Sequence, residues 1–172
     1  MRNRTNPEKK NIFIYHSIKL LIFMMFLFSG FVFSQGENNT WYFGQKAGLS
    51  FNITPPSVLL NSAMLLSIFE TACQSDSTGN LLFYSNGNIV YNRLHASMQN
   101  GFLLNACLSC KQSVFALQQP GADSIYYIFT SQNLTTPPSP IELGLYYSLI
   151  DMRLANGLGG VITGMKNVPV AG

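Results

Sequence analysis

The most constraining feature of this sequence is the stretch from Asp76 to Asn92, DSTGNLLFYSNGNIVYN, in which turn formers alternate with short apolar runs. A cluster of turn residues precedes the aromatic run Leu81–Ser85, and such clusters commonly bound β-strands. Asn86-Gly87 follows, and this dipeptide is typical of type I′ turns, whose two central residues both have positive φ. Ile89 to Tyr91 supplies a returning strand. The stretch therefore predicts a β-hairpin.

Both faces of the first predicted strand are apolar. Alternate side chains of an extended strand share a face. We therefore expect Leu81 and Phe83 on one face, and Leu82 and Tyr84 on the other. A strand that is apolar on both faces is stable only when other parts of the fold cover both of them. The hairpin is thus expected to be sandwiched between neighbouring elements.

The first 34 residues have the pattern of a secretory signal peptide. Five basic residues come first: Arg2, Arg4, Lys9, Lys10 and Lys19. An uncharged apolar run from Leu20 to Phe33 follows, and a cleavage site is expected before Gln35. A retained membrane anchor is the alternative, but this run is shorter than the about 20 residues of a full span. We expect residues 1–34 to be a cleaved signal peptide and residues 35–172 to be the exported domain.

Removing the signal segment changes the charge of the chain. The whole sequence has a net charge of +3, whereas residues 35–172 contain five basic and six acidic residues and carry −1. Without a basic patch, the exported part has no electrostatic basis for binding nucleic acid. Its richness in Asn, Ser, Gly and aromatic residues is typical of a secreted all-β protein. The membrane is therefore expected as a partner only through the signal segment.

Three cysteines raise the question of metal or redox chemistry: Cys73, Cys107 and Cys110. The last two have the CxxC spacing of zinc and redox sites. A structural zinc site usually takes four ligands, and His95 is the only histidine after the signal segment. A redox site would need a βαβ context, which the sequence lacks. We expect a structural disulfide or buried free thiols, at least one unpaired cysteine, and no metal or other cofactor.

The remaining strands are predicted from short aromatic or β-branched runs between turn formers. They are Thr40–Phe43, Leu49–Asn52, Ser113–Gln118, Ile125–Thr130, Leu143–Met152 and a last one beginning within Val161–Val168. Pro55-Pro56 is expected to end the first unit. Ser57–Glu70 matches neither a helical nor an alternating pattern, and a connector followed by a strand near Leu65–Thr71 is expected there. Loops are predicted at Asn92–Gln112 and at the proline-rich Thr135–Pro140.

Aromatic strand centres recur at an interval typical of propeller blades. Trp41 and Phe83 are 42 positions apart, Phe83 and Tyr127 are 44 apart, and Tyr127 and Tyr147 are 20 apart. Blades of four strands repeat about every 40–45 residues, and propellers close with about four or more blades. The predicted fold is therefore all-β, with antiparallel hairpins in a partial β-propeller-like repeat of about three blades. It is expected to be a fragment of a longer protein.

The sequence contains no recognisable catalytic motif. Trp41 is either a ligand platform or a core anchor, and we favour the core anchor because the residue lies in an aromatic strand. A catalytic site would have to use residues that are equally typical of turns and caps: Glu70, Asp76, His95, Asp123 and Asp151. We assign no catalytic, cofactor-binding or metal-binding residue, and we expect His95 to be a hydrogen-bonded loop residue.

Five stretches resemble the N-terminal region of large secreted Bacteroidetes surface proteins with PKD-like modules and a gliding-motility-associated, type-nine-secretion sorting domain. They are Trp41–Phe51, Asp76–Asn92, Met98–Gly101, Lys111–Thr130 and Tyr146–Met152. Cys110 stands where that family usually has a small or hydroxyl residue. The resemblance implies a propeller-like fold and an exported location. It transfers no catalytic residues, because the shared motifs consist of turn and strand residues.

Three functions are consistent with these features. The first, which we favour, is a non-catalytic adhesion or recognition module of a secreted or cell-surface protein, with an extracellular glycan or protein as partner. The second is a glycan- or peptide-cleaving propeller enzyme, which needs two carboxylates within about 10 Å across a pocket. The third is a periplasmic domain held at the membrane by an uncleaved signal segment.

Overall fold

The structure is a computed structural model that describes residues 15, 18–21, 36–64, 70–107, 113–132 and 144–170. The chain divides into two compact units, Met1–Ser34 and Gln35–Gly172. This division falls at the predicted end of the signal segment, and cleavage there stays a prediction. The described residues of the first unit are helical. No helix in the described part of the chain is long and apolar enough to cross a membrane.

The described residues of the second unit form three antiparallel sheets. The first contains β1 (Thr40–Phe43), β2 (Ala47–Ser50) and β3 (Ser57–Leu59), and the second contains β4 (Ala72–Ser75), β5 (Leu81–Ser85) and β6 (Val90–Asn92). The third contains β7 (Val114–Gln118), β8 (Ile125–Ser131), β9 (Leu145–Asp151), β10 (Gly160–Val161) and β11 (Val168–Pro169). Strands follow chain order across each sheet, except that β10 and β11 both pair with β9. The prediction of a mostly β, antiparallel fold is confirmed.

The second sheet lies between the other two. Phe83 of β5 belongs to a hydrophobic core shared with Ile128 and Ile150 of the third sheet. Its neighbour Tyr84 points to the opposite face and belongs to a separate core shared with Tyr42 of the first sheet. Both β5 side chains are completely buried. The prediction that the hairpin is sandwiched between neighbours is therefore confirmed.

A bulge in β5 changes which of its residues share a face. Gln74 of β4 pairs with Phe83. The next residue of β4, Ser75, pairs with Leu81, so Leu82 is an extra residue without a partner on β4. Because of this extra residue, Leu82 packs with the core on the Phe83 face, and Leu81 packs with the opposite core. The prediction that Leu81 and Phe83 share a face is wrong.

The connection between β5 and β6 is wider than predicted. It contains the four residues 86–89 rather than a two-residue turn. Gly87 has a φ of 87°, but Asn86 is not among the residues with positive φ, which excludes a type I′ turn. The Asn86 side-chain oxygen instead accepts hydrogen bonds from the backbone N–H groups of Asn88 at 3.1 Å and Ile89 at 2.9 Å. This local competition by the Asn side chain widens the loop.

The segment between β2 and β4 departs most from prediction. Pro55-Pro56 does not end the first unit, because β3 follows at once and pairs with β2. With three residues, β3 is too short to show strand alternation in the sequence. For the strand expected near Leu65–Thr71, residues 65–69 lie outside the described residues, Glu70 and Thr71 are not in a strand, and β4 begins at Ala72. The loop predicted at Thr135–Pro140 also lies outside the described residues.

Each remaining predicted strand overlaps an observed one, and within the described residues their ends differ by two residues or fewer. Leu143, the predicted start of β9, lies outside the described residues. The segment expected within Val161–Val168 is split between β10 and β11. The interval between Trp41, Phe83 and Tyr127 does place one aromatic residue in each sheet. However, Trp41 lies on the first strand of its sheet and the other two lie on second strands, so the positions are not equivalent. The described residues form no closed barrel or propeller.

Candidate functional site

The edge of β1 that faces away from β2 runs beside β4, and side chains occupy its hydrogen-bonding groups. The Tyr42 N–H donates to Cys73 Sγ at 2.9 Å, and Thr71 Oγ1 donates to the Tyr42 carbonyl at 2.7 Å. The Cys73 thiol lies 3.3 Å from the same carbonyl and donates to it. An unpaired strand edge is a template for an added strand. At Tyr42 the backbone N–H and carbonyl groups are already bonded to side chains, so they are not free to pair with an added strand.

An open pocket of about 250 Å³ lies at this edge. Six residues, none of them charged, line it: Asn38, Trp41, Tyr42, Phe43, Thr71 and Cys73. We call it the junction pocket, because its lining comes from β1 and the preceding Asn38, and from Thr71 and Cys73 at the start of the second sheet. Alternation along β1 exposes Trp41 and Phe43 and buries the residue between them.

Trp41 is exposed and yet held in place. It keeps 48 % of its surface accessible. Its Nε1–H donates to the Asn38 carbonyl at 2.7 Å, and its ring centre lies 4.9 Å from that of Phe51 at a tilt of 56°. The prediction that Trp41 anchors the core is wrong, because Tyr42 on the opposite face of β1 takes that position. The indole N–H is satisfied within the protein, so the exposed part of the side chain is its aromatic surface.

A stack of three tyrosines fills the core between the first and second sheets. The Tyr42 and Tyr84 rings lie 4.7 Å apart, and the Tyr84 and Tyr91 rings lie 5.1 Å apart, both nearly parallel. Burial raises the pKa of all three phenols, which therefore stay protonated at neutral pH. Gly48 pairs with Tyr42, and a β-carbon there would lie 2.8 Å from the Tyr42 ring. A glycine is therefore needed for this ring position.

His95 completes this cluster from the loop after β6. Asn61 Nδ2 donates to His95 Nε2 at 2.8 Å, and the other ring nitrogen, Nδ1, lies 3.1 Å from the Tyr84 hydroxyl. The Tyr42 hydroxyl donates to the Asn61 side-chain oxygen at 2.8 Å, so a chain of polar groups links the first two sheets. The prediction that His95 is a hydrogen-bonded loop residue is confirmed.

The environment of His95 predicts a stability that falls in mild acid. Burial lowers its pKa below the ordinary value of 6.5. The unfolded chain therefore binds a proton at a higher pH than the folded protein. The stability contributed by neutral His95 is present above about pH 6.5 and is lost as the pH falls through the lowered folded-state pKa.

Urea unfolding at a series of pH values between about 8 and 5 measures this dependence. His95 has a φ of 61°, which Asn tolerates, so His95→Asn is the matched variant. We expect the stability of the variant to depend less on pH over this range than that of the wild type. Equal pH dependence in the two proteins would contradict the assignment.

The cysteines have different states. Cys107 is disulfide-bonded, whereas Cys73 is a free thiol, so the expectation of an unpaired cysteine is confirmed. Cys110 lies outside the described residues. The role of Cys73 is structural: its sulfur bonds both backbone groups of Tyr42 and thereby ties β4 to the edge of β1.

The Cys73 thiol is expected to react slowly in the folded protein. Burial raises its pKa to about 11, against the weaker opposing effect of its hydrogen bond with Tyr42. At about pH 8, roughly one molecule in a thousand then carries the reactive thiolate. We expect iodoacetamide to label the Cys73 peptide roughly a hundredfold faster in urea-unfolded protein than in folded protein. Mass spectrometry measures both rates, and similar rates would show that the thiol is accessible.

Two of the four predicted carboxylate candidates, Asp76 and Asp151, are hydrogen-bonded within their own turns. Burial acts to raise the pKa of Asp76, but hydrogen bonds from Thr78 and Asn80 in the same turn outweigh it and lower the pKa. Hydrogen bonds from the Arg153 guanidinium likewise lower the pKa of Asp151, with the closest contact at 2.8 Å. Both carboxylates therefore stabilise the turns in which they lie.

The charges of three acidic side chains act on one phenol. Burial raises the pKa of Tyr126, and the charges of Asp76, Glu37 and Asp123 raise it further. Glu37 was not among the predicted candidate residues, because it lies outside every predicted strand and turn. Tyr126 is only 4 % exposed, so its phenol is not open to a dissolved substrate.

The structure does not bring the five candidate catalytic residues together at the junction pocket. None of Glu70, Asp76, His95, Asp123 and Asp151 lines it. In the part of the chain that the structure describes, no group of three or more His, Cys, Asp or Glu residues could hold a metal ion.

Most residues of the junction pocket carry no signal in the sequence that marks them as a site. Asn38, Phe43 and Thr71 were not singled out, and Cys73 was considered only for its thiol chemistry. Alternation within Thr40–Phe43 could have shown that Trp41 and Phe43 share a face, but not which face is covered.

Comparisons of the chain with protein-family models, with curated proteins and with solved structures found no match.

Proposed function

We propose that residues 35–172 form a non-catalytic recognition module of an exported protein, whose partner is an extracellular glycan or protein. The observation that carries this proposal is the exposed aromatic pair on β1, where Trp41 is 48 % and Phe43 is 40 % accessible. Trp is a highly buried residue type on average. Exposed aromatic side chains with restrained geometry are characteristic of recognition surfaces.

We further infer that the three sheets are blades of a propeller-like assembly. Successive antiparallel sheets pack face to face, which is how blades contact one another. The outward face of the third sheet is apolar as well, with Phe115 60 % exposed. An apolar outer face favours an additional blade that would cover it.

Export is supported by the sequence and by the cysteine chemistry. The basic segment followed by the apolar run Leu20–Phe33 is a signal pattern, and the division of the chain falls at Ser34 and Gln35. The disulfide bond of Cys107 suits an oxidising compartment outside the cytoplasm. The periplasm, the cell surface and the medium are consistent with these features.

Two measurements on the full chain test the proposal. The first applies the purified protein to an array of glycans and extracellular matrix proteins, and we expect saturable binding to one class with the ligand recovered intact. Cleaved ligand would favour the enzyme hypothesis, and absence of binding to either class would overturn the recognition function.

The second measurement is mass spectrometry of the protein produced in a bacterial host, in the secreted and the membrane fractions. We expect the mature N-terminus near Gln35, whereas an intact signal segment in the membrane fraction would favour the anchored domain.

A further inference from the structure

We propose that the junction pocket binds a neutral hexopyranose ring, stacked on the indole of Trp41, as the recognised unit of a glycan. This inference rests on the proposed recognition function and names the chemical class of its ligand. Three properties of the pocket favour this ligand: a restrained aromatic surface, an uncharged lining, and a strand edge whose hydrogen-bonding groups are already bonded.

The Trp41 indole is fixed before a ligand arrives. Its N–H is bonded to the Asn38 carbonyl and its ring leans on Phe51. Binding therefore costs little side-chain entropy, which favours a small ligand that contacts few atoms. Because the N–H is used, the exposed indole offers mainly an apolar, polarisable face. The C–H-rich face of a pyranose ring is complementary to such a surface.

The lining selects against charged ligands. All six residues of the junction pocket are uncharged, so an ionic group would lose hydration there without gaining a counter-charge. Polar groups are nevertheless present beside the aromatic ones. Asn38 brings a side-chain amide, and Thr71 Oγ1 can still accept after donating to the Tyr42 carbonyl. A sugar ring has hydroxyl groups on its rim that would use these partners.

The same geometry argues against a peptide. Addition of an extended strand needs free backbone groups on the edge of β1, and those of Tyr42 are bonded to Cys73 and Thr71. A proline-rich segment would stack on Trp41, but its prolines have no N–H groups to donate to the side-chain oxygens of Asn38 and Thr71, whereas sugar hydroxyl groups can donate to both. The volume of about 250 Å³ is below the usual range for drug-sized ligands and suits a single ring.

The chain contains one tryptophan, so its fluorescence reports on this site alone. The full chain would be titrated with methyl glucoside, methyl galactoside, methyl mannoside and N-acetylglucosamine. We expect at least one of them to change the emission saturably, with half-saturation at about millimolar concentration, as is usual for ligands of so few atoms. A proline-rich peptide is titrated in parallel as the competing ligand class.

Variants locate the binding. Saturation-transfer NMR measures sugar binding without the fluorophore, and we expect Trp41→Ala to weaken it at least about tenfold. Thr71→Val should weaken binding while leaving the tryptophan in place, and Thr71→Ser should retain it. Phe115→Ala is the matched control, because it removes another exposed aromatic ring, 60 % accessible, from the outer face of the third sheet. Circular dichroism verifies that each variant is folded.

The outcomes separate this inference from the function on which it rests. Sugar binding that is lost in Trp41→Ala and kept in Phe115→Ala supports it. If a glycan binds the wild type and Trp41→Ala equally, the site is wrong and the recognition function stands. If the peptide alone perturbs the tryptophan, the ligand class is wrong. If neither the sugars nor any glycan or protein on the array binds, both proposals fail.

Discussion

Replacing Phe83 with Ala is expected to lower the free energy of unfolding by about 3–5 kcal/mol. Phe83 is completely buried on the face of the middle sheet that contacts the third sheet. Its ring meets that of Tyr126 edge-on, with centres 5.5 Å apart. The substitution leaves a cavity between two sheets whose strands restrict how far they can close it. Urea unfolding followed by circular dichroism measures the loss.

Phe115→Ala is the matched control for Phe83→Ala. Phe115 is also a strand phenylalanine, but it is 60 % exposed on the outer face of the third sheet. We expect its removal to change the stability by no more than about 0.5 kcal/mol. Similar losses for the two variants would contradict the arrangement in which the second sheet is the central layer. The comparison therefore tests the fold independently of any ligand.

Replacing Gly79 with Ala is expected to cost about 2–4 kcal/mol. Gly79 has a φ of 89°, and an added β-carbon would lie 2.0 Å from the side-chain oxygen of Asn52. Asn52 would have to move, although its amide donates to the Gly79 carbonyl at 2.9 Å and accepts from Asn39 at 3.0 Å. The substitution would thus disturb the contact between the turn before β5 and the first sheet. Thermal and urea unfolding both report it.

Gly121→Ala separates the two causes of this loss. Gly121 also has positive φ, 77°, but an added β-carbon would meet no atom within 4 Å. Its replacement should therefore cost only the backbone strain, about 1 kcal/mol. The difference between the two variants measures the contact of Gly79 with Asn52. If Gly79→Ala costs no more than Gly121→Ala, that contact contributes nothing to stability.

Much of the fold could be predicted because strands and turns depend on neighbouring residues. The run Leu81–Ser85 is found as a strand with the predicted ends, and Gly79 has the positive φ expected of its turn. Where prediction failed, a longer-range or competing interaction decided. The bulge at Leu82 depends on pairing with β4, and β3 is a strand because β2 lies beside it.

The candidate site could be predicted much less well. The junction pocket joins residues 38–43 with residues 71 and 73, about thirty positions away, and no sequence pattern links the two segments. Cys73 lines it because its thiol bonds the edge of β1. The acidic groups whose charges raise the pKa of Tyr126 likewise come from three separate segments of the chain.

Turn chemistry and side-chain alternation act over a few residues, so they were enough to predict most of the strands and the pairing of β5 with β6. The tertiary structure alone decided which faces are covered. Trp41 and Tyr42 are adjacent and both aromatic, and alternation requires that they point in opposite directions. Only the position of the second sheet buries Tyr42 in the tyrosine stack and leaves Trp41 exposed at the junction pocket.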